Sequence, residues 1–203
     1  METKVARQRL DPAKRAELIL DAALGLFGTS HFSIVTMRDI AVACDVNVAL
    51  LYHYFKSKDH LIQSVLAQAI GQIIADFEMR RARPGDDFLG EIGIWFETHA
   101  LMAPTMMTRM VKLMADYAAQ TKKDPQLDAV VQSFYCFERE LIINTLQAGI
   151  DSGRYAAVDT VKLARIVGLH LDGIFHGAQS RGENRIAADI GDLRDLLEQQ
   201  LKR

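Results

Sequence analysis

The sequence predicts an all-α protein, and two observations carry that prediction. Apolar residues recur at intervals of three and four positions through most of the chain, without a sustained two-residue alternation. In addition, a capping aspartate precedes a proline at Asp11-Pro12 and again at Asp124-Pro125, which is typical of helix starts. Together these patterns predict about nine helices.

The composition is that of a globular protein. The 203 residues are 49% hydrophobic and 25% charged, with a formal net charge of −2. A disordered chain has fewer apolar residues, and a collagen-like chain has far more Gly and Pro. The charged N-terminus does not lead into an apolar stretch of signal-peptide type, and each apolar run is interrupted before it reaches membrane-spanning length. We therefore expect a cytoplasmic protein without a membrane segment.

The N-terminal domain, residues 1–57, is expected to contain three short helices. Each starts after a residue that can cap it, and each ends where turn-forming residues interrupt the apolar pattern. The predicted helices are 12–28, 36–44 and 48–55. Thr36 and Asp39 have the form of a capping box, with Asp in place of the usual Glu.

The remaining residues, 58–203, are predicted to form a larger helical domain. Its first helix begins after Ser57 and is long enough to join the two domains. Internal repeats and low-complexity linkers are absent from the sequence. The predicted helices are 58–83, 86–104, 105–123, 125–152, 159–181 and 184–201.

The second and third helices form a helix-turn-helix pattern. They are short and are separated by a tight turn at Asp45-Val46. Their small apolar core is expected to consist of Ile40, Ala41, Val46, Leu51 and Phe55. In such a motif the N-terminal residues of the second helix enter the DNA major groove, while neighbouring helix ends hold phosphates.

The residues in and after this motif carry a family resemblance. Thr36-Met-Arg-Asp-Ile-Ala is followed by Leu51-Tyr-His-Tyr-Phe-Lys-Ser-Lys-Asp-His-Leu61, which combines aromatic, cationic and capping positions in a fixed order. Over about residues 12–62 the chain resembles the DNA-binding domain of the tetracycline-repressor (TetR) family. The resemblance implies an all-helical homodimeric transcriptional regulator, usually a repressor that a small ligand releases from its operator.

The resemblance also implies a set of DNA-contacting residues. Hydroxyl, phenol, imidazole and ammonium groups would bind phosphate oxygens, and a short apolar segment would face the groove. The phosphate set is Thr36, Tyr52, His53 and Lys58, and the groove set is Val48, Ala49 and Leu50. The cations of Lys4–Arg15 would add phosphate or minor-groove contacts.

Two features depart from the family pattern, and one alternative stays open. Asp45 stands at the turn where the family usually has Gly, although Asp tolerates a left-handed conformation better than most residues. The groove set has no amide or guanidinium group, so that thymine methyls and DNA shape would have to carry much of the selectivity. Tyr52, Tyr54 and Phe55 are also compatible with plain core packing.

Methionines and aromatic residues in the second domain suggest a ligand cavity. Five of the eight methionines lie between Met102 and Met114. Flexible thioethers and aromatic rings suit a cavity for an apolar or amphipathic effector, and equally an ordinary packed core. The predicted ligand-binding set is Trp95, His99, Met102, Met106, Met110, Met114, Tyr117, Phe134 and Phe137, with Asn144 and His170 as further polar candidates.

The last two helices are predicted to form a homodimer interface. Helix 159–181 carries small residues that permit close helix approach, and helix 184–201 has an apolar stripe opposite a charged face. Two such helices from each chain would make a four-helix interface. Packing of both helices within their own chain is the alternative. The residues concerned are Gly168, Gly173, Gly177 and Ala178 with Ile166, Leu169 and Ile174 on the first helix, and Ile186, Ile190, Leu193 and Leu197 on the second.

Two other classes of protein remain as alternatives. One is a helical protein that sequesters a ligand without binding DNA. The other is a small helical enzyme or metal protein, whose best candidates are His170, Asp172 and His176, but their spacing is not that of a metal triad. A nucleophile elbow and a phosphate-binding glycine loop are absent, and Cys44 and Cys136 share no metal-ligand spacing. We expect neither catalysis nor a cofactor.

Overall fold

In the computed structural model, residues 11–202 are described except for 84, 122 and 183, and this part of the chain is helical and contains no strand. The predicted all-α class is confirmed. The helices are α1 (Pro12–Thr29), α2 (Met37–Ala43), α3 (Val48–Tyr54), α4 (Lys58–Arg81), α5 (Glu91–Met102), α6 (Thr108–Ala118), α7 (Pro125–Asp151), α8 (Thr160–Arg181) and α9 (Ile186–Leu201).

Local capping explains most of the helix starts. A side-chain oxygen of the residue before the helix accepts a backbone N–H that has no partner within the helix. This arrangement holds for α1, α2, α3, α4, α7 and α8, whose caps are Asp11, Thr36, Asn47, Ser57, Asp124 and Asp159. These helices start where the sequence predicted because the signal is confined to a few neighbouring residues.

The start of α5 is a correction to the sequence prediction of residue 86. The carboxylate of Asp87 accepts the backbone N–H of Leu89 at 2.8 Å and forms an ion pair with Arg194 of α9 at 2.7 Å. Gly90 has a φ of +58°, a left-handed conformation that favours glycine and interrupts a helix. The segment therefore forms a turn, and α5 begins at Glu91.

The junction between α5 and α6 also differs from the prediction. Pro104 was expected to separate two helices, but the chain continues from α5 into α6 through a π-helical turn at Ala103–Met107. Proline lacks a backbone N–H, and local widening of a helix accommodates the missing bond. The hydroxyl of Thr108 donates to the carbonyl of Ala103 at 2.8 Å. Helix α6 ends at Ala118, earlier than predicted.

The helices share one continuous hydrophobic core. Helix α1 packs against α2, α4 and α6, so the N-terminal helices are joined to the rest of the chain by two helices. Helix α4 continues the core to α5 and α7, α7 packs against α8, and α9 lies across α5 and α8. The division into domains at residue 57 stays a prediction, because buried side chains run without a break from α1 to α9.

Candidate nucleic-acid interface and effector core

The turn between α2 and α3 has the geometry of a helix-turn-helix. Asp45 adopts a φ of +53° at this turn, the left-handed conformation expected there. The backbone N–H of Val46 donates to the carbonyl of Ala41 at 3.0 Å, which holds the two helices together. Of the predicted apolar core, Ile40, Ala41, Leu51 and Phe55 are buried, and Val46 is half-buried. The predicted core of this unit is confirmed.

One face of α3 is left in solvent. Leu51 is fully buried under the helix, whereas Tyr52 is 53% exposed and Ala49 and His53 are also exposed. Val48 and Leu50, the other two members of the groove set, are half-buried. Of the three aromatic residues for which core packing was the alternative, Phe55 is buried, Tyr54 is half-buried and Tyr52 is outside.

Thr36 is exposed, and its hydroxyl is used by the cap of α2. It donates to the Asp39 carboxylate at 2.8 Å and accepts the backbone N–H of Asp39 at 3.2 Å. The backbone N–H of Thr36 completes the capping box at 2.8 Å from the same carboxylate. The hydrogen bond from the Thr36 backbone N–H has the largest effect in lowering the pKa of Asp39, and the bond from the Thr36 hydroxyl lowers it further. The predicted phosphate contact of Thr36 would start from this pre-ordered helix end.

Lys58, the first residue of α4, is half-buried. Its ammonium group donates to the carbonyl of Ser33 at 3.1 Å and lies 5.9 Å from the centre of the Phe32 ring. Burial lowers its pKa, while Asp59 and Asp39 act in the opposite direction. Lys58 is thus held between α4 and the loop before α2, and an ammonium group with three protons keeps donors for a phosphate. Of the predicted basic arm Lys4–Arg15, residues 4–10 lie outside the described residues, and Lys14 is exposed at the start of α1.

The helix-turn-helix lies within a segment that matches a known family. Residues 19–65 match the family model described as "Bacterial regulatory proteins, tetR family". This segment of the chain is therefore of the TetR DNA-binding type. The matched segment contains the second half of α1, all of α2 and α3, and the start of α4, which are the elements that form the TetR DNA-binding unit described above.

Similarity to individual TetR proteins extends further along the chain. The HTH-type transcriptional repressor KstR of Rhodococcus jostii is 43% identical over 60 residues, which is 30% of this chain and 28% of that protein. The repressor KstR2 of Mycolicibacterium smegmatis is 25% identical over 147 residues, 71% of this chain and 69% of that protein. A transcriptional regulator of Saccharomonospora viridis, solved in complex with choline, has the same fold, with a TM-score of 0.83 over 94% of this chain and 99% of that one at 16% identity.

Part of the predicted ligand-binding set is brought together in the core. The Trp95 ring lies 4.5 Å from His99, 5.5 Å from Phe137 and 6.0 Å from Phe134, measured between ring centres. Trp95, His99 and Phe134 are buried, and Phe137 is half-buried. Phe77 of α4, which the sequence analysis did not select, completes this aromatic cluster at 5.5 Å from Trp95.

The other members of the set are distributed along the π-helical turn and α6. Met110 and Met114 are buried, whereas Met102 and Met106 are half-buried. Tyr117 lies apart from the aromatic cluster: its hydroxyl donates to the carbonyl of Asp124 at 2.9 Å, and its ring lines a surface pocket of about 410 Å³. Of the two further candidates, Asn144 is exposed beside another surface pocket, and His170 is exposed on α8.

Glu138, which the sequence pattern did not single out, carries a carboxyl group that is only 5% exposed in the helical core. The indole N–H of Trp95 donates to its Oε2 at 3.0 Å, and Nε2 of His99 lies 3.7 Å from the same atom. Burial raises the pKa of Glu138 to about 7 and lowers that of His99 to about 4. Both groups are therefore mostly uncharged near pH 6. The available signal was an acidic residue one helical turn from Phe134 and Leu141, on the apolar face of α7.

The residues considered for a metal site do not converge. Nδ1 of His170 is 2.8 Å from the carbonyl of Ile166 on its own helix, and Asp172 instead accepts a hydrogen bond from the hydroxyl of Tyr135 at 3.4 Å. Within residues 11–202, apart from the three undescribed positions, no group of three potential ligands could hold a metal ion. The helices described there also include none with the length and apolarity needed to cross a membrane.

The predicted dimerisation helices contribute differently from expectation. Ile186, Ile190, Leu193 and Leu197 of α9 are buried in the core of their own chain, because α9 packs this stripe against α5 and α8. The prediction that this stripe faces a partner is therefore wrong. The exposed apolar side chains of this region are Val161, Ile166 and Leu169 on α8 and Leu196 on α9. Near Leu169, a shallow surface pocket of about 400 Å³ is lined by Gly173 and Gly177, among others.

Proposed function

We propose that this protein is a cytoplasmic DNA-binding repressor of the TetR family whose affinity for its operator is lowered by a small effector. The observation that carries the proposal is the exposed face of α3, with Ala49, Tyr52 and His53 in solvent over a buried Leu51. A helix that is anchored on one side and open on the other has the form needed to enter a major groove. The repressors KstR and KstR2, which this chain resembles, support the same class of function.

DNA recognition would combine phosphate contacts with apolar contacts to bases. Tyr52, His53, Lys58 and Thr36 supply donors for phosphate oxygens, which fix the register of the protein on the duplex. The segment 48–50 offers only methyl and methylene groups, and so favours thymine methyls and sequence-dependent shape over hydrogen-bonded base contacts. We expect moderate sequence selectivity and a strong dependence of affinity on salt.

The exposed apolar side chains of α8 would form the centre of a homodimer interface. Leu169 and Ile166 lie on the face that also carries Gly173 and Gly177, where small residues let a second helix approach. A two-fold axis through this face would present two copies of α3 to one side of DNA. For binding to successive major grooves these copies must lie about 34–36 Å apart, and the operator is then a palindrome.

An effector bound in the helical core has two helices through which it can change that separation. Helix α4 begins at Lys58 and passes directly into the aromatic cluster at Phe77. Helix α6 packs against α1, where a Cβ added to Gly28 would stand 2.5 Å from Cγ of Arg109, and Lys112 donates to the carbonyl of Ser30 at 3.4 Å. An effector that binds the conformation unable to engage DNA more tightly than the DNA-binding conformation shifts these helices. The largest factor by which it can lower DNA affinity is the ratio of its affinities for the two conformations.

Selection of bound duplexes from a random pool tests this proposal. We expect a palindromic consensus, and binding to it that weakens steeply as salt rises from 50 to 200 mM. Lys58→Ala should weaken binding to all sequences and reduce the salt slope by about one, whereas Lys162→Ala, an exposed lysine of α8, should leave both unchanged. A pool that yields no consensus, with affinity insensitive to salt, would instead favour the sequestering protein.

A further inference from the structure

The contact between α7 and α8 contains a carboxyl group, that of Glu138, of which one oxygen forms no hydrogen bond within the described part of the chain. Oε2 of Glu138 accepts the Trp95 indole N–H, but Oε1 has no hydrogen-bond partner among the described residues. Oε1 faces α8 at Gly168, where a Cβ would stand 3.0 Å from it. Among the described residues, Thr98 Oγ1 is the one fully buried side-chain N or O atom without a hydrogen-bond partner. Oε1 of Glu138 therefore keeps a small exposure, through which a ligand can reach it.

A second acidic group lies one helical turn along α8. Asp172 is half-buried and is joined to α7 by the hydroxyl of Tyr135. Its negative charge acts, after burial, to raise the pKa of Glu138 further. No lysine or arginine in the described part of the chain forms an ion pair with either carboxyl group. When both groups are ionised, the pair has a negative potential, and within the described residues the counter-charge beside it is that of His176 next to Asp172.

The histidines near this pair do not neutralise Glu138 itself. From α5, His99 faces Glu138 and stays neutral above about pH 4 because it is buried. From α8, the exposed His176 acts on Asp172, where its charge lowers the pKa of the carboxyl group against the larger, raising effect of burial. The side chain that α4 contributes to this region is the ring of Phe77, 6.0 Å from Phe137.

The surroundings of the two carboxyl groups are aromatic. The indole of Trp95 connects Glu138 to a cluster in which Phe77, Phe134 and Phe137 lie within 6.0 Å of it. The faces of aromatic rings attract cations, most strongly for Trp, and desolvation increases the attraction. A carboxyl group at the edge of an aromatic cluster is thus complementary to an organic ammonium ion with an apolar body.

We propose that Glu138 and Asp172 form the cation-binding end of the effector site, and that the effector carries an organic ammonium group which packs against the Trp95 indole. The inference rests on the proposed function and names the chemical class of its effector. The ammonium group supplies the positive charge missing between α7 and α8. Below about pH 7 its binding also displaces the proton of Glu138, so that affinity rises with pH and levels off above that value.

Calorimetric titration of the full-length protein with two cations and a neutral control tests the inference. The cations are choline and phenyltrimethylammonium, and the control is 3,3-dimethylbutan-1-ol, which has a carbon atom in place of the choline nitrogen. We expect the cations to bind, with choline at least about tenfold tighter than its neutral counterpart. Equal binding of choline and the alcohol would overturn the inference, as would the absence of binding by both cations.

Variants separate a charge effect from a structural one. Glu138→Gln keeps the shape and the acceptor for Trp95 but removes the charge, and should weaken cation binding about tenfold or more and abolish its pH dependence. Asp172→Asn should produce a smaller loss, and it serves as the second test if Glu138→Gln does not fold. Glu140→Gln, at an exposed position on the same helix, should bind as the unmodified protein does. Unchanged cation affinity in both core variants would contradict the proposal.

Duplex binding measured on the same samples distinguishes failure of the cation site from failure of the repressor function. Protein that binds a selected operator but no cation overturns the effector class and leaves the repressor function in place. Protein that binds cations through Glu138 but no DNA overturns the repressor function and leaves the cation site in place.

Discussion

The helix-turn-helix and the α5–α7–α8 core differ in where their candidate functional residues lie. Those of the helix-turn-helix are exposed to solvent, and those of the core are buried. Around α3 the apolar residues form a small core, and the candidate contacts Tyr52 and His53 lie outside it. Around α7 the candidates are the core itself, since Trp95 and Glu138 are buried. A rigid surface suits a large partner such as DNA, whereas a small effector must be enclosed.

The two regions also differ in what holds them together. The N-terminal unit depends on short-range features, such as the Thr36–Asp39 capping box and the turn at Asp45. The core depends on contacts between distant parts of the chain, such as the hydrogen bond that joins Trp95 to Glu138. Substitutions in the first region should therefore act through local geometry, and those in the second through burial and charge.

The largest expected effect tests whether the buried side of α3 supports its exposed side. Leu51→Ala removes a fully buried side chain and should lower the free energy of unfolding by about 2–5 kcal/mol. Operator binding should be lost with it. Leu50→Ala, at the half-buried neighbouring position, should cost clearly less. Urea denaturation of both variants measures the difference, and equal costs would show that α3 is not anchored through Leu51.

The next effect tests the charge buried in the core through its pH dependence. Because the pKa of Glu138 is raised from 4.5 to about 7, the folded protein retains between these values a proton that the unfolded chain has released. Ionisation of Glu138 therefore lowers stability as pH rises through this range. The lowered pKa of His99 acts in the opposite direction and masks the trend in the unmodified protein.

Glu138→Gln removes one of these two opposing contributions. Its free energy of unfolding, relative to the unmodified protein, should increase by about 2–3 kcal/mol between pH 5 and pH 8. Denaturant titrations of both proteins at the two pH values give this difference. A difference that is the same at pH 5 and pH 8 would mean that Glu138 has an ordinary pKa.

A smaller effect is expected from the cap of α2. Thr36→Ala removes the hydroxyl that accepts the Asp39 backbone N–H and should cost about 1 kcal/mol. Thr36→Ser retains a capping hydroxyl and should remain close to the unmodified protein. Thermal unfolding compares the two, and operator affinity should fall in Thr36→Ala more than in Thr36→Ser. If Ala and Ser behave alike, the cap does not contribute to stability.

The smallest effect concerns the turn before α3. With a φ of +53°, Asp45 occupies a conformation that glycine adopts without strain. Both variants lose the interactions of the Asp45 side chain, but only Ala is strained at this φ. Asp45→Gly should therefore be about 1 kcal/mol more stable than Asp45→Ala. Chemical denaturation resolves the order of the two variants. A more stable Ala variant would contradict the left-handed geometry of this turn.

The sequence by itself determined the helical class, the capped helix starts and the helix-turn-helix with its small core, because each of these depends on residues close together in the chain. It was less informative where distant groups compete for the same residue. Asp87 is the example: a good helix cap by sequence, it is recruited by Arg194 of α9 and forms a turn instead.

Tertiary structure alone decided which apolar stripes are buried and that the carboxyl group of Glu138 lies in the core. The stripe of α9 has the pattern of an interface but packs inside its own chain, since periodicity identifies an apolar face without identifying what covers it. Glu138 is an ordinary acidic residue in the sequence. It acquires its raised pKa and its unused oxygen only when α5 and α8 close over α7, because desolvation depends on the whole set of neighbours rather than on adjacent residues.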